Sequence, residues 1–152
     1  SKADISVTID LDWEDYWRVR NENPLDDAET LKLSSDGRII EIGKKPKSLR
    51  EIEGQYMGLM KFSAKGVSSM SKVYNDAKKT KNLCGKPVKK AYMTDLLQAI
   101  IDLGYRVDAV PVHGGWVEVD TVEDLISEYN ILRLKKVNDV SMVSNNKIPQ
   151  ND

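Results

Sequence analysis

The sequence predicts an α/β domain in which a mixed, mostly parallel sheet carries an inserted hairpin and flanking helices. Three observations predict it. Residues 4–10 alternate apolar and polar side chains, with Ile5, Val7 and Ile9 on one face, the period of a half-buried strand. Segments 64–79, 91–103 and 121–135 instead repeat apolar residues at helical spacing. Helical segments fall between strand-like ones, and a hairpin signal at 30–45 interrupts the alternation, so the chain is not a clean doubly wound repeat.

Composition narrows the classes. The chain has 152 residues, of which 40% are hydrophobic and 31% charged, as in an ordinary globular domain. Lys plus Arg is 23 against 24 for Asp plus Glu, so there is no basic footprint for a nucleic acid. No apolar run reaches the roughly 18 residues of a membrane span, and no leader opens the chain. A single Cys84 and a single His113 exclude an internal disulfide and the Cys-cluster or multi-histidine zinc sites. A cytoplasmic location is the expectation.

The elements follow in order. After the first strand, Asp12-Trp13-Glu14-Asp15-Tyr16-Trp17 sets its aromatics on one face of a short helix, and 21–28, with Pro24 and three acids, reads as a loop. Leu31 and Leu33, then Ser35-Asp36-Gly37, then Ile39, Ile40 and Ile42 spell a hairpin. Ser48 and Glu51 have capping-box spacing, and 55–62 is short and apolar enough for a buried strand. A helix over 64–79 carries Val67, Met70, Tyr74 and Ala77. A Lys-rich break over 80–90 follows it. The helix at 91–103 ends at Gly104, a residue suited to a helix stop. Strands are predicted at 106–112 and 116–120, around His113-Gly114-Gly115. Thr121 and Asp124 open the last helix, with Leu125, Tyr129 and Leu132 inward. Residues 1–136 are read as one domain and 137–152 as a loose polar tail.

The most informative stretch is Gly114-Gly115-Trp116-Val117-Glu118-Val119-Asp120-Thr121. In a strand, Trp116, Glu118 and Asp120 share a face that ends at a helix N-terminus. A carboxylate there can meet a cation held against phosphates, or Asp120 or Thr121 can simply cap the helix. The lysine run at 78–90 reads as a solvated loop, and His113 and Cys84 show no catalytic companion.

The run through Asp120-Thr121-Val122-Glu123-Asp124-Leu125 resembles the C-terminal signature of the sugar-phosphate nucleotidyltransferase superfamily. Glu41-Ile-Gly-Lys-Lys-Pro46, Glu53-Gly54 through Phe62, and Lys90-Ala91-Tyr92-Met93-Thr94-Asp95 resemble further elements of it, in order. Asp12 through Trp17 is most similar to the branch of choline-phosphate and 2-aminoethylphosphonate cytidylyltransferases. The resemblance spans about residues 4–133. It implies transfer of a cytidylyl group from CTP to a phosphorylated amine, with release of pyrophosphate and Mg²⁺ as cofactor. It makes Asp120 a metal ligand and Lys45 a phosphate neutraliser. It puts Tyr56, Tyr92, Asp95, Trp17 and Glu118 toward the acceptor, where aromatic faces and a carboxylate recognise ammonium. The family's Gly-rich loop, G-x-G-x-R-x-x-P, does not occur in this sequence. The expectation is therefore the acceptor-side half of a nucleotidyltransferase Rossmann-like fold, inactive alone. The alternative is a non-catalytic assembly module that self-associates through an unpaired strand at Ile5–Ile9.

Overall fold

The computed structural model describes residues 3–135, so the tail predicted at 137–152 lies outside the described residues. The described residues fall into two compact units, one up to Val112 and one from His113, taken in turn.

The first unit is built on β1 (Ile5–Asp10), β4 (Gln55–Phe62) and β7 (Asp108–Val112), in the order β4-β1-β7. β1 runs antiparallel to β4 and parallel to β7, so the sheet is mixed in equal parts rather than mostly parallel. The parallel partner returns only after a long connection that includes α2 (Ala64–Thr80) and α3 (Met93–Asp102), as a parallel crossover requires. Ile5–Ile9 is thus the central strand, paired on both sides, which corrects the expectation of an unpaired edge and removes the basis for self-association there. It also corrects the half-buried reading of β1. Ser6 and Asp10, on the face opposite Ile5, Val7 and Ile9, are buried as well.

The hairpin forms as predicted, from β2 (Leu31–Leu33) and β3 (Ile39–Ile42). Leu31, Ile39 and Ile42 join Ile5, Val7 and Ile9, Val73 and Ala77 of α2, and Leu96, Leu97 and Ile100 of α3 in one core. A side chain from α3 fastens the hairpin: buried Gln98 Oε1 accepts from Ile42 N at 2.8 Å. Gly43 follows at φ +83, where an added Cβ would fall 2.8 Å from Thr94 Cβ. Left-handed backbone and contact with α3 both demand glycine there. Gly43→Ala is expected to cost about 2 kcal/mol or more, read as a lower midpoint in urea unfolding with an unchanged slope.

Local differences have local causes. Ser48 makes no side-chain cap on the 3₁₀ turn Leu49–Glu51; Glu51 Oε2 instead accepts from Lys47 N at 2.6 Å. β4 is an edge strand, not a buried one, with Leu59 59% exposed and a register shift where Gly58 sits at φ +76. The Lys-rich break folds into a small hairpin, β5 (Asn82–Leu83) and β6 (Lys86–Pro87), that buries Leu83. α1 (Trp13–Arg20) buries Trp13, Tyr16 and Trp17.

In the second unit, 116–120 joins no strand among the described residues, against the prediction. Gly114 and Gly115 both take positive φ and turn the chain. The carbonyls a neighbouring strand would use are taken by side chains: Arg133 Nε donates to Trp116 O at 3.0 Å and Asn130 Nδ2 to Glu118 O at 3.3 Å. Trp116, Glu118 and Asp120 therefore do not share a sheet face. The last helix also breaks: α4 (Val122–Ile126) stops at Ser127, whose ψ of 123° is extended, and helix resumes over 128–135. The stripe predicted inward is split by that break, and Leu125 and Leu132 are exposed.

Candidate acceptor site

α3 begins where Asp95, in its first turn, accepts a hydrogen bond from Tyr92 N at 2.8 Å on Oδ2. A carboxylate at this position satisfies a backbone donor that no helical carbonyl can reach, and favours the helix dipole. The same carboxylate pairs with Lys86 Nζ at 2.8 Å, although its side chain is only 7% exposed. Lys86 arrives from β6, and its ammonium stands 5.3 Å from the centre of the Tyr92 ring. Asp95 keeps the Lys86 ammonium charged to higher pH than usual. Tyr92 and Asp95 thus stand together beside a cation, and that cation is the protein's own Lys86.

Trp17 repeats that pattern. It is 2% exposed, its ring lies edge-on to Tyr16 at 5.7 Å and to Trp13 at 6.4 Å, and the Arg20 guanidinium stands 5.4 Å from its centre. Burial makes it a packing residue, which corrects its place among acceptor contacts. Lys45 is also engaged: its Nζ donates to Leu25 O and, at 2.7 Å, to Asp26 O. Those are carbonyls of the 3₁₀ turn Pro24–Asp26, so Lys45 fixes the loop that leads to Glu29.

Glu29 is the residue that sequence reasoning missed, because it falls between the acidic loop read over 21–28 and the hairpin read over 30–45. It is half-buried, and Oε1 accepts from Thr94 Oγ1 at 3.3 Å. Burial raises its carboxyl above the ordinary 4.5, and repulsion from Asp95 and Asp27 adds to this. The Thr94 hydroxyl and Lys86 oppose it. Tyr56 is close enough that Glu29, after burial itself, raises its phenol. Glu29, Lys86, Tyr92, Thr94 and Asp95 form one polar cluster over the start of α3.

The sign of the Glu29 effect is testable. A raised folded value penalises the ionised fold; the penalty is absent well below 4.5 and complete above the raised value. Glu29→Gln should therefore melt higher than the wild type at pH 7 to 8, with the difference vanishing toward pH 4. A wild type more stable at neutral pH would contradict it.

A second missed residue is Asp10, fully buried at the carboxyl end of β1, with Oδ1 accepting from Asp12 N at 2.9 Å. Parallel β1 and β7 end side by side there, with Leu11 N donating to Val112 O at 2.9 Å, the edge at which open α/β sheets bind ligands.

In the second unit, Thr121 is the cap: its Oγ1 accepts from Asp124 N at 3.1 Å, and Asp124 Oδ2 accepts from both Asp120 N and Thr121 N at 3.1 Å. Capping therefore does not account for the Asp120 carboxylate. No group of three or more His, Cys, Asp or Glu among the described residues is placed to hold a metal ion. No helix among them is long and apolar enough to cross a membrane.

A mixed sheet with flanking helices and a half-buried polar cluster is consistent with a nucleotidyltransferase-like fold. Over 125 residues, the chain is 39% identical to the CTP:phosphoglutamine cytidylyltransferase of Campylobacter jejuni subsp. jejuni serotype O:2. The match takes in 82% of this chain but 49% of that protein, so the chain spans about half the length of the curated relative it matches. This supports a cytidylyltransferase-like relationship. No family model matches the chain.

Proposed function

We propose that the chain is the acceptor-binding part of a cytidylyltransferase that moves the cytidylyl group of CTP onto a phosphorylated, nitrogen-bearing acceptor. The observation that carries the reading is the 39% identity to a CTP:phosphoglutamine cytidylyltransferase across most of the chain. An oxygen of the acceptor phosphate or phosphonate attacks the α-phosphorus of CTP, the bond to the β-phosphate breaks, and pyrophosphate leaves. The attacking oxygen is already anionic, so no protein base or nucleophile is needed, and catalysis is positioning and charge neutralisation. Phosphocholine, an aminoalkylphosphonate and the relative's phosphoglutamine are the acceptors to compare.

Asp120 is the proposed metal-facing residue, with Glu118, two residues before it, directed to the acceptor. An oxygen donor of this kind suits Mg²⁺, which is bound through one or two carboxylates together with substrate phosphates and needs no full protein cage. Bound there, the ion would neutralise phosphate charge. The Gly-rich nucleotide loop would come from the part of the relative's length that this chain does not match.

The test supplies the chain with that remaining part of the Campylobacter relative and measures pyrophosphate release from CTP and Mg²⁺ with each acceptor. Acceptor-dependent release supports the reading. Release with none of them, from a complex shown to be folded, overturns it.

A further inference from the structure

The carboxylate expected to meet the acceptor's nitrogen is Asp95, yet Asp95 is committed to Tyr92 N and to Lys86 Nζ. Together Asp95 and Lys86 cancel in charge, and the negative charge left over in the cluster belongs to Glu29. We infer that Glu29 determines acceptor specificity, its carboxylate accepting a hydrogen bond from the ammonium or amide N–H at the acceptor's nitrogen end. This rests on the reading above that the chain binds a phosphorylated acceptor.

Geometry supports the assignment in three ways. An ionised carboxylate offers about four acceptor positions, and the hydrogen bond this one receives is a single long one of 3.3 Å from Thr94. Thr94 is itself 4% exposed and backed by Gly43, so the hydroxyl is held in place before any ligand arrives. The Lys86 ammonium, lying over Tyr92 in the same cluster, shows that this environment accommodates a nitrogen cation. A half-buried carboxylate with one weak partner costs the free protein stability, and an N–H donor from a ligand would restore what burial removes.

Titration calorimetry of this chain with O-phosphoethanolamine and with ethyl phosphate, which lacks the nitrogen, tests the inference. The wild type should bind phosphoethanolamine about tenfold more tightly, the size of one charge-assisted hydrogen bond. Glu29→Gln should bring that ratio close to one while leaving the affinity for ethyl phosphate unchanged and the melting temperature no lower. An unchanged ratio in Glu29→Gln, an equal loss for both probes, or no preference or no binding in the wild type overturns the inference. The underlying reading fails separately, when no phosphate or phosphonate acceptor, nitrogen-bearing or not, yields pyrophosphate from CTP in the completed enzyme.

Discussion

Asp120→Asn in the completed enzyme is expected to lower CTP-dependent pyrophosphate release by about a thousandfold, with little change in melting temperature. The size is that of removing one charged group from the stabilisation of transferring phosphates. The separation of activity from stability comes from the local hydrogen bonds. Thr121 Oγ1 caps α4, and Asp124 Oδ2 holds the backbone of both Asp120 and Thr121 at 3.1 Å. The path of the chain through residue 120 therefore does not depend on the Asp120 side chain acting as a cap. Thr121→Ala provides the contrast: it should cost about 1 kcal/mol of stability by removing the cap, and lower activity far less. Near-normal pyrophosphate release by Asp120→Asn would exclude the metal-facing role.

Elements governed by neighbours in sequence were legible. The strand at Ile5, Val7 and Ile9, the turn at Ser35-Asp36-Gly37, and the Thr121–Asp124 capping box all formed, although both faces of that strand are buried. What could not be read depended on partners far along the chain. The centrality of β1 requires β7, a strand that begins at Asp108. The segment 116–120 has the composition of a strand, but Asn130 and Arg133 take the carbonyls that pairing would use. The candidate site divides in the same way. Tyr92 and Asp95, three residues apart on a helix start, were found together. Their partner Lys86 comes from a two-residue strand, and Glu29 from the loop before β2. Side-chain type suggested a cation-binding helix start, while the partners that engage those side chains come from residues distant in sequence.

The second large effect concerns Asp95, and its direction separates structure from ligand binding. Asp95→Ala is expected to destabilise the free chain by about 2–4 kcal/mol, the range for breaking a buried, hydrogen-bonded charge pair and a helix cap at once. Asp95→Asn keeps an oxygen for Tyr92 N and should lose roughly half as much. Lys86→Met should lose less than Asp95→Ala, because the lysine side chain is 42% exposed and its partner retains the bond from Tyr92 N. In a double-mutant cycle the two positions should couple, since each removes the same ion pair. The pH dependence follows from the raised value of Lys86: the advantage of wild type over Lys86→Met should hold from neutral pH to near 10.5 and shrink above it. Urea unfolding of the wild type, the three single variants and the double variant decides the matter. If Asp95→Ala unfolds within about 0.5 kcal/mol of the wild type, the pair does not build the helix start, and Asp95 becomes available again as the residue that meets the acceptor. If the loss is large, Asp95 and Lys86 are the wall of the site, and the charge that faces the ligand is that of Glu29.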